Sequence, residues 1–579
     1  MDKKNIKKIE KVLTERKHTA EKQGAKSAKG KSGAKKVLIG LSWVYANGRL
    51  HIGHVGSSLP ADAIARFHRL IGNDVSFVTG SDCYGTPILV QATAEGITPT
   101  ELAEKYHKML DADFARLGFT FDNYTKTMSD HHNKFAMDFH ADMYKGKYVY
   151  EKSANQLYCE KCNKYLPDRY VEGICPHCKS HAKGDSCDSC SKILEPEDLL
   201  EPKCKLCGAT PTPRNTSQQY LKLSAMQADL EKYYNNKKED WTINAQGLCG
   251  RYLNEGLLDR AITRNIEWGV PVPKANWGDK RIYIWAENVL GYLSAAKEYC
   301  EKTGRDWKEF LLDDAKSDKL HYYVHAKDNI PFHTIILPGL MHANPSAVYH
   351  KPDIIVASEY ITLEGKKMSK SAGTLLTAEE MLDAFDVDLL RFYFLRNTND
   401  RKDVNFTFMD FVNTVNGELI NNFGNLVNRT LSFVNSKFDG NVGVGKVNEK
   451  VLTEIKATYK TVTELMLQGK TGQALKTAFD LVNFGNKYFD ECKPWISIKE
   501  NIEVCRKNIF EIITIIANVA KLCEPFIPFG CEKVQGWLGI DKTKFEPFVH
   551  KKDFKLPTVE ILYKRLDMKE VAEKFKKYI

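Results

Sequence analysis

Val37-Leu38-Ile39-Gly40-Leu41, a loop from Ser42 to Leu50, and then His51-Ile52-Gly53-His54 set the architecture of this chain. The apolar run reads as a buried strand. Asn47-Gly48 marks a turn in the loop. Beyond His54, the residues Leu59, Ala63, Phe67 and Leu70 or Ile71 recur at helical spacing, and Gly72-Asn73 is a stop signal. Val75 to Thr79 is a second apolar run. Strand, loop, helix and strand in this order predict a parallel α/β unit. The two histidines fall where loop becomes helix, where unpaired N–H groups and the positive dipole end favour an anion. Imidazole N–H groups can follow a phosphate through a reaction. Gly53 between them leaves room for a flat base against the backbone. Taken alone, the four residues read equally well as a helix start with two surface histidines.

The 579 residues suffice for several domains with sizeable cores. No apolar run approaches the ~20 residues of a membrane span. Residues 1–36 have no apolar segment of the signal-peptide kind, so a cytoplasmic protein is expected. The net charge is +10, and residues 1–36 hold twelve lysines and Arg16 against four acids. The body is therefore close to neutral. The tail is expected to be disordered and solubilising; the alternative is a non-specific RNA tether whose lysines displace counterions from phosphate.

Eight of the fifteen cysteines form four Cys-x-x-Cys pairs: Cys159/Cys162, Cys175/Cys178, Cys187/Cys190 and Cys204/Cys207. Thiols of an intracellular chain stay reduced, so the pairs point to metal. Two pairs close one tetrahedral zinc, and eight ligands make two sites. The inner pairs are expected to join in one knuckle and the outer pairs in a second; interleaved connections fit the spacing too. Closed four-thiolate sites would hold a loop, with a catalytic zinc as the alternative.

Asp82 follows the second strand, where parallel sheets bind ligands. It could hold a substrate ammonium or cap the helix that starts near Pro87. Residues 99–145 read as helical. Residues 148–258 interrupt the α/β pattern. Arg281 to Trp285 and Leu320 to His325 then read as strands, and Ile354 to Ala357 as the last one. A basic loop follows it, Lys367-Met368-Ser369-Lys370-Ser371. From Asp410 the period is helical, with further helices over 450–467, 472–491 and 501–523: a helix bundle. Asn425 and Arg429, four apart, share a helix face. Trp495, at a break between helices, is expected in the core.

His-x-Gly-His after the first strand and Lys-Met-Ser-Lys-Ser after the last resemble the double signature of class I aminoacyl-tRNA synthetases. Tyr45-Ala46-Asn47-Gly48, Gly85-Thr86-Pro87, Leu166-Pro167-Asp168-Arg169, Lys327-Asp328 with Phe332-His333, Asn425-Leu426 with Arg429, and Cys492-Lys493-Pro494-Trp495 resemble the methionyl-tRNA synthetases, over roughly residues 37–540. The insert is too short for the editing domain of the leucine, isoleucine and valine enzymes. The resemblance implies a Rossmann-like catalytic domain in two halves, 37–147 and 259–358, split by a connective insert with two structural zinc knuckles, 148–258. After it come a lysine-loop and stem-contact region, 359–409, an α-helical anticodon-binding domain, 410–560, and a basic C-terminal helix, 561–579.

It further implies that L-methionine and ATP with Mg²⁺ give methionyl-adenylate and pyrophosphate, and that the methionyl group then passes to the 3′ end of tRNA(Met). In that reading His51, Gly53, His54, Arg264, Asp328 and Lys370 hold ATP. Lys367 and Lys370 neutralise charge moving onto pyrophosphate. Trp43, Tyr45, Asp82, Trp285, Tyr292 and His333 hold methionine, with the Tyr292 hydroxyl donating to its sulfur. Asn425, Arg429 and Trp495 read the anticodon. Three places depart from the family pattern: Trp43 for a leucine, Trp285-Ala286-Glu287-Asn288-Val289 for a Trp-x-Asp-Ala-Pro-like run, and Leu337 for an aromatic. With no room for an appended oligonucleotide-binding domain, a monomer is expected. The alternatives are another class I synthetase and a catalytically inactive zinc-containing RNA-binding homologue.

Overall fold

The computed structural model describes residues 34–579, except 168–169, 185, 188, 191, 193, 369–373, 399 and 541–543. The expectations for residues 1–33 of the basic tail and for Lys370 lie outside the described residues.

The central sheet is parallel. Strands β1 (Lys36–Leu41), β2 (Val44–Tyr45), β3 (Asp74–Asp82) and β4 (Asn123–Lys126) come from the first half of the chain. Strands β9 (Lys319–Ala326) and β10 (Ile354–Ser358), numbered after the shorter strands of the insert and its exit, come from the second. The order is β10-β9-β1-β3-β4, and β2 pairs with the far end of β3. Because β3 lies on one side of β1 and β9 on the other, the crossovers diverge at the carboxyl end of β1, where such sheets bind ligands. Helix α1 (Ile52–Leu70) matches its expected span and buries Leu59, Ala63 and Phe67.

The period of two along β1 sends alternate residues into different cores. Val37, Ile39 and Leu41 face a core that runs through α1 into the C-terminal helices and on to Tyr578. Leu38 faces a second core that holds Trp43, Tyr292 and Leu337. The stretch 99–145 is not one helical region. Helices α2 (Thr86–Glu95) and α3 (Pro99–Arg116) precede β4, and α4 (Asp130–Met143) follows it. β4 forms because Val78–Ser81 offers it a free sheet edge.

In the insert, the long antiparallel pair β5 (Val149–Cys159) and β6 (Thr212–Leu221) forms a stalk. The knuckles sit at its end with a small core of their own, including Leu166, Tyr170 and Leu199. Helices α5 (Gln227–Lys237) and α6 (Ile243–Glu255) return to the second core through Leu230, Trp241, Ala245 and Leu253. The expected strand Arg281–Trp285 is a correction. Only β8 (Arg281–Ile282) is extended, paired antiparallel with β7 (Thr263–Arg264) outside the central sheet. Trp285 already lies in a helix, α7 (Ile284–Glu287), ahead of α8 (Gly291–Thr303).

Past β10, strand β11 (Ile361–Leu363) leads into the lysine loop, and α9 (Ala378–Leu382) and α10 (Val387–Arg396) leave it. The bundle comprises α11 (Asn425–Phe438), α12 (Glu449–Leu467), α13 (Thr471–Cys492) and α14 (Ile502–Cys523), within a residue of expectation where bounds were expected. Among the described residues, no helix is long and apolar enough to cross a membrane.

Candidate active site

His51 caps α1, and its Nδ1 accepts the Gly53 N–H at 3.1 Å. His54 Nδ1 reaches back to the His51 N–H at 3.3 Å. Two imidazoles thus build a capping box that Ser and Glu usually make. With both Nδ1 atoms accepting, both Nε2 atoms carry the proton. Burial lowers His51 to about 4, and burial with the nearby His51 pushes His54 well below its usual value. Both rings are therefore neutral N–H donors at pH 7, with centroids 3.8 Å apart.

The two signatures are laced together. Ile52 N donates to Leu376 O at 3.1 Å, and Ala378 N donates to Leu50 O at 2.8 Å. Arg49 joins Asp113 of α3 to Glu379 of α9. Lys367 is exposed, and its carbonyl accepts from Thr374 Oγ1 at 3.2 Å, closing the base of the loop. The Met368 Cε methyl lies 3.0 Å from where a Cβ on Gly53 would be, so here a side chain fills the space opposite that glycine.

Tyr45 and Asp82 are register partners of β2 and β3, and both face the carboxyl end of the sheet. Asp82 is 2% exposed and does not cap α2: the N-cap is Gly85, without a side-chain bond, and Asp82 Oδ1 instead accepts Tyr84 N–H at 3.3 Å. Asp328 sits exposed in a short turn after β9. Trp285 stacks on Phe332 at 3.8 Å and 10°, a partner not among the expected site residues although it adjoins His333. Gly40 of β1 admits the Tyr292 ring, which would stand 2.7 Å from a Cβ there.

The Tyr292 hydroxyl requires a correction. His333 Nδ1 lies 2.9 Å from Asn329 O and donates to it, so Nε2 accepts from the Tyr292 hydroxyl at 2.8 Å. Burial lowers His333 to about 4 and keeps it neutral. The phenol proton is thus committed to His333, and the Tyr292 oxygen offers no donor to a sulfur in this arrangement.

Arg264 is buried, stacks over Tyr283 at 4.1 Å, and donates to Ala261 O, Thr263 O and Glu195 Oε2 (3.0 Å). Glu195 belongs to the insert, a link that sequence spacing does not signal.

The cysteines gather as two clusters, Cys159/Cys162/Cys204/Cys207 and Cys175/Cys178/Cys187/Cys190, each with its sulfurs within 4.8 Å of one another. The pairing of outer with outer and inner with inner holds. The sulfurs of Cys159 and Cys207 stand 3.5 Å apart, those of Cys162 and Cys204 3.9 Å, those of Cys175 and Cys190 3.9 Å, and those of Cys178 and Cys187 3.4 Å. A tetrahedral zinc with ~2.3 Å bonds places its sulfurs about 3.8 Å apart, so both clusters fit the ion.

In the bundle, Asn425 is exposed at the start of α11. The Arg429 guanidinium lies over Phe489 at 4.0 Å and is held by Asp490 (2.8 Å) and Asn486 (2.9 Å). Trp495 is not in the core: it is 49% exposed, 6.1 Å from the Phe489 ring. The break at Pro494 turns it outward, so core-forming tendency does not decide its place.

A parallel sheet whose crossovers diverge above a His-x-Gly-His helix start, laced to a lysine loop and followed by a helical bundle, defines a class I aminoacyl-tRNA synthetase. Residues 37–431 match the family model described as tRNA synthetases class I (M), and residues 440–562 that of the anticodon binding domain of methionyl tRNA ligase. The chain is 40% identical over 541 residues to methionine–tRNA ligase 1 of Alkaliphilus oremlandii, covering 93% of this chain and 99% of that one. It is 41% identical over 544 residues to a Bacillus cereus methionine–tRNA ligase, covering 93% and 98%. Its fold is similar to that of a Mycobacterium tuberculosis methionyl-tRNA synthetase solved with methionyl-adenylate, with TM-score 0.75 at 22% identity, covering 92% of this chain and 100% of that one. The chain belongs to the methionyl-tRNA synthetase family.

Proposed function

We propose that this chain, as a methionine–tRNA ligase, divides its labour among the residues above as follows. ATP lies across the carboxyl end of β1, its phosphates against the N-terminus of α1. His51 and His54 donate Nε2–H bonds to phosphate oxygens. Being neutral, they follow the shift from ground state to transition state without a change of protonation. Lys367 and Lys370 stabilise charge moving onto pyrophosphate, and Arg264, once released from Glu195, adds to it. Mg²⁺ accompanies ATP and shields its phosphates. Asp328 receives the ribose hydroxyls.

Asp82 holds the methionine ammonium while Trp43, Tyr45, Trp285, Tyr292 and His333 enclose the side chain; rings favour a thioether by up to about 1.5 kcal/mol each. The carboxylate attacks the α-phosphorus in line, so positioning and charge stabilisation do the catalytic work. The methionyl group then moves to the terminal ribose of tRNA(Met). Splayed anticodon bases stack on Trp495 and are read by Asn425 and Arg429. Two zinc ions hold the insert. The protein works in the cytoplasm as a monomer.

The observation that carries this reading is the direct lacing of Leu50–Ile52 to Leu376–Ala378, which sets the phosphate histidines beside the lysine loop. The test is ATP–pyrophosphate exchange with each amino acid supplied separately. Exchange with methionine alone supports the reading, another preferred amino acid moves the chain to a different class I specificity, and no exchange by folded, zinc-loaded protein leaves an RNA-binding homologue. Trp495→Ala should raise KM for tRNA by about ten-fold or more, given the ~1–3 kcal/mol of a base–aromatic stack, and leave exchange unchanged.

A further inference from the structure

We propose that Glu287 is a positioning residue for methionine selection: through His132 and Ser294 it fixes the helix start that carries Trp285 and Tyr292 and confines Trp43. The inference rests on the methionine-ligase reading and concerns how the pocket keeps its shape.

Glu287 is fully buried at the end of α7, two residues after Trp285. Its Oε2 lies 2.7 Å from Nε2 of His132, which is 1% exposed on α4. His132 Nδ1 lies 2.8 Å from Ser294 Oγ on α8. Ser294 donates its own proton to Gly291 O at 3.0 Å. Ser294 Oγ therefore accepts from His132 Nδ1–H. In a neutral ring Nε2 is then the lone-pair nitrogen, and the proton in the 2.7 Å contact comes from the carboxyl of Glu287. Burial acts in the same sense on both groups, holding the Glu287 carboxyl well above its usual value and lowering His132 to about 4. A neutral hydrogen-bonded pair avoids the desolvation of two charges.

The chain of bonds ends where the pocket begins. Trp43 lies on Gly291, whose Cβ would stand 2.6 Å from the indole, and on Gly80 of β3, where it would stand 2.1 Å away. The Trp43 ring is 6.3 Å from His132 and 6.2 Å from Tyr292. Trp43 Nε1, a donor, and Glu287 Oε1, an acceptor, are both buried without a hydrogen-bond partner among the described residues. Aromatic faces alone set direction weakly. The Glu287–His132–Ser294–Gly291 chain ties α4, α7 and α8 to one geometry, and the aromatic walls of the pocket are mounted on it.

The test uses the full chain and three readouts: methionine-dependent ATP–pyrophosphate exchange, quenching of intrinsic tryptophan fluorescence by methionine without ATP, and thermal melting. Exchange by the unaltered protein tests the ligase reading by itself. In Glu287→Gln the amide N–H replaces the carboxyl proton toward His132, so KM for methionine should stay within about two-fold of the unaltered value. Glu287→Ala should raise KM and the fluorescence-derived Kd for methionine about ten-fold, with kcat within about three-fold and KM for ATP unchanged. A Gln variant as impaired as the Ala variant overturns the proton assignment, and an Ala variant with unchanged methionine KM overturns the positioning role. Should Glu287→Ala not fold, Ser294→Ala carries the test with an expected rise of about three-fold in methionine KM, and an unchanged value overturns the proposal.

Discussion

His51 and His54 show how one residue type meets two requirements at one place. As capping groups they satisfy N–H donors of α1 through Nδ1. As neutral rings they keep Nε2–H as a donor. Replacing His54 by Asn keeps a polar side chain but moves its donor. The kcat of methionine-dependent exchange should fall by about 10²–10³-fold, the cost of losing one oriented donor to developing charge, with little change in KM for methionine. Steady-state exchange kinetics checks this. Gly53→Ala makes a steric counterpart: its Cβ would stand 2.9 Å from the His51 ring and 3.0 Å from the Met368 methyl. Expected is a loss of kcat with little change in thermal stability, since both neighbours are side-chain atoms that can yield at the expense of the site.

At the scale of elements, α1 is held from its far side by a buried ion network. Arg391 of α10 is fully buried, reaches Asp62 of α1 at 2.7 Å, and donates to Phe526 O, Pro525 O and Leu117 O. Arg66 shares the same carboxylate at 2.8 Å. Burial opposes the Asp62 charge, but the two guanidinium groups outweigh it and lower its pKa to about 2. Arg391→Met should destabilise the protein by about 3–5 kcal/mol, because it takes one of two guanidinium groups from a buried carboxylate and leaves three carbonyls without their donor; urea unfolding measures it. The insert is stabilised by different means. Its own core is small, and its two four-cysteine clusters are spaced to bind a metal ion that would hold it. Metal analysis should find two zinc ions per chain, and Cys187→Ser should lose one while keeping the other, since the two clusters share no ligand. Loss of both would show that the knuckles fold as one unit.

For the whole molecule, buried histidines make the native state lose stability toward acid. Burial pushes His68 and His321 down to about 3, and His140 and His333 to about 4. Below about pH 6.5 the unfolded chain takes up these protons and the native state does not, so each histidine costs up to about 1.4 kcal/mol per pH unit as pH falls toward 4. His350 runs the other way. Although burial opposes its charge, hydrogen bonds to Asp313 (2.5 Å) and Asp353 (2.7 Å) raise it to about 8. Its contribution is full below 6.5 and is lost as pH rises through 8. Denaturant midpoints should therefore climb from pH 4.5 to 6.5 and decline modestly from 7 to 9. A flat acid limb would mean that the buried rings are protonated in the native state.

Local spacing and local chemistry determined a good part of this protein in advance. The strand–loop–helix–strand unit of 37–79, the bundle helices and the four cysteine pairs were legible because periodicity and ligand spacing are properties of neighbouring residues. Only the tertiary structure decided the rest, because it depends on what residues distant in sequence place opposite one another. Arg281–Trp285 is apolar enough for a strand, yet it lies outside the central sheet, and only two of its residues form a strand, paired with β7. Trp495 has the character of a core residue, but a proline break turns it into solvent. The Tyr292 hydroxyl donates to His333, and His333 donates in turn to the Asn329 carbonyl. Glycines of β1, β3 and α8 make the slots for Tyr292 and Trp43. A sequence names the groups of such a pocket, while their protons and faces are assigned only when several elements close around them.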